Sequence, residues 1–385
     1  MFAVIRVLPR SVVVCRCNVR QYSQVASAIA NPSFIQREKL DVPPDWAARL
    51  ADREWVPGGL NPDNKYPEFI APPKPNFPAL YEAENGDIGS AAEWAKAARE
   101  IIESKLVEYG VIMFRGMPVY GGEGFSEFLL STGYSPMGYE GGLAVRQKVA
   151  AGVLTASDDL PEVTIQPHNE MAYSKDYPHK LFFYCQIAPA PGCGGETGLT
   201  RVKDILPKLD PKVVDKFRKL GVKYNNYLPS QEKSQYKSWQ ETFFTEDRGE
   251  VEKHMARMNY EFEWQDDGAI SYAHTLPVFH KHHTTGEELW FTHVTRHHAT
   301  NLSEHPKYAG DKHRPYKRYP YHTTYGDGTE IEPEVIQHIR DVIWQVSVGF
   351  QMQERDLLVY DNMLVQHSRL GFTGKRKLLA AMTSD

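Results

Sequence analysis

Two histidines and one acidic residue form a set that could bind a divalent metal ion. His168 and Glu170 are separated by one residue, and His367 lies far downstream. Two imidazoles and one carboxylate bind iron(II) on one face of its octahedron and leave three positions open. An ion held in this way can bind an oxoacid and O₂ together. We therefore interpret His168, Glu170 and His367 as candidate metal ligands and catalytic residues.

The His-x-acid triplet is weak evidence by itself, because 15 histidines and 49 acidic residues in 385 positions supply roughly two such triplets by chance. Its surroundings add information. The triplet precedes an apolar segment at 181–185, which predicts a loop at the mouth of a sheet, and His367 follows a predicted strand at 363–366. A second group of histidines lacks a carboxylate at ligand spacing, and we interpret it as mostly exposed. Its members are His280, His282, His283, His293, His297 and His298.

A framework of short strands must position these residues. Ser90 and Glu93 match a capping box, and apolar residues then recur at helical spacing until Gly110, which predicts one helix. Further helices are predicted at 211–220, 249–258 and 333–345. Strands are predicted at 111–116, 146–154, 181–187, 222–227, 289–294, 356–360, 363–366 and 376–383. Many short strands at uneven spacing indicate a mainly β (α+β) protein with an antiparallel sandwich or barrel.

Composition excludes several classes of function. The net charge is −5, and no stripe of basic residues follows the N-terminal segment, so a nucleic-acid partner is not expected. No apolar run approaches the roughly 20 residues of a membrane-spanning helix. Four cysteines in a chain of this length do not indicate a disulfide framework. The partner we expect is a small-molecule substrate, and the sequence does not indicate an oligomeric state.

The N-terminal region resembles a targeting segment followed by an irregular arm. Residues 1–37 contain five arginines and no acidic residue, a composition typical of a mitochondrial transit peptide. We predict a transit peptide at 1–22 and a matrix location, with a cytoplasmic location as the alternative. Residues 23–89 are rich in proline, contain a possible short helix near 46–50, and are predicted to form an irregular arm packed on the core. The remaining domain would span 90–385.

Four blocks of sequence resemble the TauD/TfdA superfamily of Fe(II)- and 2-oxoglutarate-dependent dioxygenases, in particular its clavaminate synthase-like branch. They occur in the order found in that family. The blocks are Tyr-Glu-Gly-Gly (139–142) with Arg146, His-Asn-Glu-Met-Ala (168–172), Pro-Gly-Cys-Gly-Gly-Glu-Thr (191–197), and Tyr-Asp-Asn (360–362) with Gln-His-Ser-Arg (366–369) and Gly-Lys-Arg (374–376). The resemblance implies a double-stranded β-helix, or jelly roll, with flanking helices and with Fe(II) bound by His168, Glu170 and His367.

The resemblance also assigns residues to the co-substrates 2-oxoglutarate and O₂. Arg376 corresponds to the arginine that binds the distal carboxylate of 2-oxoglutarate, with Arg369 as a rival, and a guanidinium suits that role because it offers two parallel donors. Thr197 corresponds to a threonine that contacts the same carboxylate. His293 and Arg296 lie where similar enzymes insert substrate-facing elements, so they are candidate substrate-binding residues.

The implied reaction oxidises, and most simply hydroxylates, a C–H bond of a small molecule and releases succinate and CO₂. Glu170, in place of the commoner aspartate, is shared with members that act on free amino acids, which suggests an amino-acid-like substrate. Two other functions stay open at this point. The same fold could hold a metal-dependent enzyme that performs no oxidation, or a binding protein without catalytic activity.

Overall fold

The computed structural model describes residues 31–43 and 70–385, except 87, 143, 145, 158, 304, 309 and 312. Residues Pro32–Asp385 form one compact unit. The strands are β1 (Phe34–Arg37), β2 (Ala79–Ala83), β3 (Val111–Arg115), β4 (Lys148–Ala150), β5 (Val153–Thr155), β6 (Ile165–His168), β7 (Lys180–Ile187), β8 (Thr197–Arg201), β9 (Val222–Leu228), β10 (Glu261–Trp264), β11 (Ile270–Leu276), β12 (Phe279–Lys281), β13 (Glu288–Trp290), β14 (Tyr321–Tyr325), β15 (Val348–Phe350), β16 (Leu357–Asp361), β17 (Val365–Arg369) and β18 (Lys377–Thr383). The helices are α1 (Ala91–Tyr109), α2 (Gly121–Ser131), α3 (Pro211–Leu220), α4 (Trp239–Phe243), α5 (Arg248–Met258), α6 (Thr300–Ser303) and α7 (Pro333–Gln345), with short 3-10 turns at Val202–Asp204, Leu206–Lys208, Gln231–Lys233 and Tyr316–Arg318.

The capping signals place α1 as predicted. The Ser90 side chain accepts a hydrogen bond from the Glu93 amide, and the Glu93 carboxylate accepts one from the Ser90 amide. Gly110 ends the helix with φ of 78°, a left-handed conformation that glycine adopts without a steric penalty. The predicted helices at 211–220 and 333–345 have the observed bounds, and the one predicted at 249–258 begins one residue earlier.

An eight-stranded sheet forms the centre of the molecule, in the order β1-β2-β3-β16-β7-β18-β5-β4. All its described strand pairs are antiparallel except β2 with β3. Side chains of β7 alternate between its two faces: Phe182 and Tyr184 pack against α1 and α2, whereas Leu181, Phe183 and Cys185 face the other way. Both faces are therefore covered, which explains why 181–187 reads as a nearly continuous apolar run.

A four-stranded sheet, in the order β15-β8-β17-β6, shares its core with the second face of the eight-stranded sheet. In this sheet His367 of β17 is the register partner of His168 of β6. The sequence-based placement of both residues was slightly wrong. His168 is the last residue of β6 rather than part of a loop, and His367 is the middle residue of β17 rather than the residue after a strand.

Residues 202–347, which we call the insert, separate β8 from β15 and add a second layer of structure. They form a four-stranded sheet, β10-β11-β9-β14, a hairpin of β12 and β13, and helices α3 to α7. Trp239, Val251, Met255 and Ile270 belong to a core within the insert. Other residues of the insert, such as Trp290, belong to the core between the eight-stranded sheet and the β15-β8-β17-β6 sheet.

The mainly β prediction, with antiparallel sheets and flanking helices, is confirmed. Nine strands of the described residues were not predicted: β1, β2, β6, β8, β10, β11, β12, β14 and β15. Each has five residues or fewer except β11, which has seven residues and an alternating burial pattern. Two of them, β1 and β2, lie within the segment predicted to be an irregular arm, where they form the edge of the eight-stranded sheet. The predicted strand at 146–154 is two strands, β4 and β5, and the one at 289–294 ends at Trp290.

The predictions for the transit peptide at 1–22 and for a helix near 46–50 lie outside the described residues. Among the residues that are described, no helix has the length and apolar character needed to cross a lipid bilayer. Cys185 and Cys193 are both free thiols.

Candidate metal centre and its cavity

The fold brings His168, Glu170 and His367 together. Their ligand atoms lie within 4.8 Å of one another. The Oε2 atom of Glu170 is 3.9 Å from Nε2 of His168 and 3.7 Å from Nε2 of His367. Two atoms that each bind one ion at about 2.1 Å can be at most about 4.2 Å apart, so both pairs are within reach of a shared ion.

A hydrogen bond of His168 and the burial of both histidines prepare them to bind a metal. Nδ1 of His168 donates to the main-chain carbonyl of Gln166 at 2.8 Å, which leaves the lone pair of Nε2 free to face the centre. Burial lowers the pKa of His168 to about 4 and lowers the pKa of His367 well below its usual value. Both imidazoles are therefore neutral at pH 7, which is the form that binds metal ions.

Three side chains hold Glu170 in place. The Tyr139 hydroxyl donates to Oε1 at 3.0 Å, and Nη2 of Arg146 donates to Oε2 at 2.7 Å. Asn362 binds the main chain of Glu170 on both sides, since its Oδ1 accepts from the amide at 2.8 Å and its Nδ2 donates to the carbonyl at 2.9 Å. These supports were not predicted as site residues, although each lies in one of the four family-like sequence blocks.

A second group with metal-ligand chemistry contains His282, His283 and Asp361. His282 is buried, and both its ring nitrogens are already engaged. Nε2 donates to Asp361 at 2.9 Å, and Nδ1 accepts from the amide of Thr285 at 3.1 Å. The Asp361 carboxylate also accepts from the amide of Met363 at 3.0 Å. These contacts indicate that the His282–Asp361 pair fixes the turn before β17.

A cavity of about 690 Å³ opens onto the three candidate ligands. This volume falls in the range of about 300–1,000 Å³ that is typical of small-molecule sites. The eight-stranded sheet, the β15-β8-β17-β6 sheet and the insert all contribute residues to its wall. The residues that line it include Tyr139, Arg146, Asp159, Thr197, Tyr236, His293, Arg296, His297, Arg369, Phe372, Lys375 and Arg376.

Arg376 and Thr197 present free donors to one part of this cavity. Nε of Arg376 donates to the carbonyl of Gly195 at 2.9 Å, and its two terminal nitrogens have no hydrogen bond to the described residues. The buried Thr197 hydroxyl likewise has no partner in the described chain. A Cβ atom at Gly195 would come within 2.7 Å of Cδ of Arg376, so glycine is required for this approach. Burial, and then the nearby Arg369, lower the pKa of Arg376 to about 10, which leaves it cationic at pH 7.

Arg369, the rival to Arg376, is used differently. Its Nη2 donates to the carbonyls of Leu160 at 2.7 Å and Val163 at 2.6 Å. Its Nη1 donates to the carbonyl of Asp159 at 3.4 Å. Arg369 therefore ties residues 159–163 to β17.

His293 and Arg296 both line the cavity. The rings of His293 and His168 are 5.2 Å apart, edge to face, and Nδ1 of His293 is 2.5 Å from Nδ1 of His297. The prediction that the second histidine group is mostly exposed was wrong: His282, His293, His297 and His298 are buried, and only His283 is clearly exposed. The buried rings pack against aromatic side chains, as between Tyr173 and His297 at 4.3 Å.

The sequence comparisons identify relatives across most of the chain. The family described as taurine catabolism dioxygenase TauD, TfdA family, matches residues 70–382. The dapdiamide synthesis protein DdaC of Enterobacter agglomerans is 31% identical over 281 residues, which is 73% of this chain and 84% of that protein. A clavaminate synthase-like protein of Arabidopsis thaliana is 27% identical over 326 residues, which is 82% of this chain and 93% of that protein.

Among solved structures, PvcB of Pseudomonas aeruginosa has a TM-score of 0.43 and 14% identity, and the match covers 86% of this chain and 90% of that one. The family match begins 20 residues before the predicted domain start at residue 90 and includes β2. Because the family match spans well over half the chain, and DdaC shares 31% identity over most of its length, the chain belongs to the TauD/TfdA family of Fe(II)- and 2-oxoglutarate-dependent dioxygenases.

Proposed function

We propose that the dioxygenase activity of this family is carried in this chain by Fe(II) bound to His168, Glu170 and His367. The observation that supports this most is the convergence of two neutral imidazoles and one oriented carboxylate on one point of the cavity wall. Two nitrogen ligands and one oxygen ligand on one side suit an iron(II) ion that must keep positions open.

With iron, 2-oxoglutarate and O₂ bound, the site would insert one oxygen atom into a substrate C–H bond and place the other in succinate, with release of CO₂. The chain's own residues orient these reactants and exclude water. Gln166 fixes the His168 ring through its carbonyl, and Tyr139 and Arg146 fix both oxygens of Glu170. Such outer partners keep ligands in position before the ion binds.

The distal carboxylate of 2-oxoglutarate is assigned to Arg376 and Thr197. The two terminal nitrogens of Arg376 and the Thr197 hydroxyl are donors without partners in the described chain, and all line the cavity. A guanidinium and a hydroxyl together match a carboxylate. Arg369 is the weaker candidate because its donors already bind three carbonyls.

The two stacked sheets are assigned to the double-stranded β-helix, or jelly roll. The pairing of β17 with β6 and β8 in one sheet, and of β7 with β16 and β18 in the other, supports this assignment. The domain division into a transit peptide, an N-terminal arm and a catalytic domain is part of the same proposal.

The substrate is proposed to be a small molecule that is hydroxylated, with an amino-acid-like compound as the first class to examine. DdaC, the relative at 31% identity, is described as a protein of dapdiamide synthesis. His293 and Arg296 are the proposed substrate-facing residues, since both line the cavity close to His168.

A direct experiment is to mix the protein with Fe(II) and 2-oxoglutarate without oxygen. We expect a weak visible charge-transfer band that is absent in His168→Ala. Admission of air should then yield succinate even without added substrate. A protein that forms no band, and that turns over with zinc or manganese without O₂, would instead be a non-oxidative metal enzyme; one that binds iron but produces no succinate with any substrate would be a binding protein.

A mitochondrial matrix location is proposed from the arginine-rich composition of residues 1–22. The full chain fused at its C-terminus to a fluorescent protein should overlap a matrix marker in cultured cells. The same fusion beginning at Ser23 should remain in the cytoplasm. Identical cytoplasmic signals from both fusions would contradict the proposal.

A further inference from the structure

Four arginines among the described residues line the cavity, and Arg296 differs from the others in its contacts. Arg146 forms an ion pair with Glu170, Arg369 donates to carbonyls, and Arg376 lies in the part assigned to 2-oxoglutarate. Arg296 donates from Nη1 to the Tyr321 hydroxyl at 2.5 Å. No carboxylate of the described chain lies within ion-pair distance of it.

The groups around Arg296 favour its charged form but do not form an ion pair with it. Burial lowers the pKa of Arg296, but Tyr321, Tyr236 and Asp159 outweigh burial, and the pKa ends above its usual value. The Asp159 carboxylate is already engaged, since His305 donates to Oδ1 at 3.1 Å and the Tyr236 hydroxyl donates to Oδ2 at 3.2 Å. An enclosed cation without an ion-pair partner is costly, and a bound anion would remove that cost.

Arg296 is close to the candidate metal ligands. It lies three residues after His293, whose ring packs 5.2 Å from that of His168, and its charge lowers the pKa of His168 after the larger effect of burial. The hydrogen-bond partners of the two arginines differ, since Arg296 donates to the Tyr321 hydroxyl and Arg376 donates to the carbonyl of Gly195. We therefore treat Arg296 as a candidate anion position in addition to Arg376.

We propose that the primary substrate carries a carboxylate that pairs with Arg296. This inference rests on the proposed function, because it concerns the second small molecule of that reaction. A planar guanidinium matches the two oxygens of a carboxylate, and pairing there places the rest of a short substrate beside His168.

The experiment uses protein loaded with Mn(II) and N-oxalylglycine, an unreactive analogue of 2-oxoglutarate. Its thermal stability and binding isotherms are measured with three matched sets of compounds: the common amino acids, their primary amides, and the corresponding amines without a carboxylate. We expect at least one amino acid to bind, and its amide to bind at least about 10-fold more weakly. Arg296→Met should weaken binding of that amino acid about 10- to 100-fold.

Two further variants separate a specific contact from general attraction. Lys375→Met removes one positive charge from the exposed rim of the same cavity and should change the affinity less than about twofold. Arg296→Lys keeps the charge without the planar fork and should bind with intermediate affinity. Circular dichroism and the Tm of each ligand-free variant report whether it is folded.

The outcomes distinguish this inference from the proposed function. If neither Mn(II) nor N-oxalylglycine binds the wild-type protein, the proposed function fails. If both bind normally but Arg296→Met retains wild-type affinity, or amides bind as well as acids, only this inference fails. A loaded wild-type protein that no carboxylate stabilises, but that amines or amides do, also overturns it.

Discussion

The two-sheet core and the insert at 202–347 contribute to one cavity in different ways. The core positions His168, His367 and Thr197 on adjacent strands, where the register determines which side chains meet. The insert supplies Tyr236, His293, Arg296 and His297 from connecting segments rather than from strands. Under the proposed function, the sheets hold the residues that bind iron and 2-oxoglutarate, and the insert surrounds the position proposed for the substrate.

This difference suggests how the reaction and the substrate can vary independently. A shift of one residue in β17 would turn His367 away from the cavity, because side chains alternate along a strand. A change at Arg296 leaves the strand register intact.

The first comparison removes a core imidazole. His367→Ala should reduce succinate formation by at least about 1,000-fold, because the ion loses a ligand and several kcal/mol of transition-state stabilisation. His283→Ala, an exposed histidine of the second metal-like group, is the matched control and should stay within about twofold of the wild type. Equal losses in both variants would contradict the assignment of the metal centre.

The second comparison concerns the two arginines of the C-terminal segment. Arg376→Met should raise the KM for 2-oxoglutarate about 100-fold, since it removes charge-assisted hydrogen bonds to the distal carboxylate. Arg369→Met should instead lower the Tm, because carbonyls at Asp159, Leu160 and Val163 lose their donor. Steady-state kinetics and thermal melts decide between them, and a reversed pattern would assign 2-oxoglutarate to Arg369.

The third comparison removes one hydroxyl that orients Glu170. Tyr139→Phe should weaken Fe(II) binding about 10-fold or more, as expected for the loss of a group that positions a metal ligand. Tyr134→Phe removes a hydroxyl that donates to Glu103 at 2.7 Å, away from the site, and serves as the control. Anaerobic titration with Fe(II) measures both, and identical affinities would mean that Tyr139 is dispensable.

The fourth comparison uses pH to weaken the insert. Burial lowers the pKa of His274 in β11 to about 4 in the folded protein. In the unfolded chain this histidine binds a proton with a pKa near 6.5, so between these two pH values only the unfolded chain is protonated there. The resulting stability is complete above pH 6.5 and is lost as the pH falls toward 4. Between pH 7 and 5 this costs about 2 kcal/mol. Urea unfolding of the metal-free protein measures the free energy of unfolding at pH 7 and pH 5. Its decrease between these pH values should be smaller in His274→Asn by about that amount.

The last comparison concerns one helix cap in each region. Ser90 caps α1 beside the core, and Ser238 caps α4 in the insert, each with a capping box. Replacement of either serine by alanine should lower the free energy of unfolding by about 1 kcal/mol. Because part of the insert, including Trp290, packs in the core of the sheets, both variants should shift the same calorimetric transition. A separate transition that moves only in Ser238→Ala would show that the insert unfolds independently.

Core elements with local signals could be predicted from sequence. The Ser90 box and Gly110 gave the bounds of α1, and Asp210 with Gly221 gave those of α3. Short strands such as β6 and β8 could not be predicted, because pairing with β17 holds them in place rather than any propensity of their own. Burial of the histidines in the insert was missed for a similar reason, since their rings pack against aromatic residues from distant segments of the chain.

The same division applies to the candidate site. His168, Glu170, His367, Thr197 and Arg376 lie in sequence blocks that resemble the family, and the fold places all five on one cavity. Asp159, Tyr236 and His297 carry no comparable signal. Their part in the cavity follows from contacts between segments more than 70 residues apart, such as the Tyr236 hydroxyl bond to Asp159.

The most direct test of the central claim is a crystal structure of the protein grown anaerobically with Fe(II) and 2-oxoglutarate, with anomalous diffraction recorded at the iron edge. We expect one strong anomalous peak about 2 Å from Nε2 of His168, Nε2 of His367 and an oxygen of Glu170. A peak at His282, His283 and Asp361 instead, or none within reach of His367, would contradict the account.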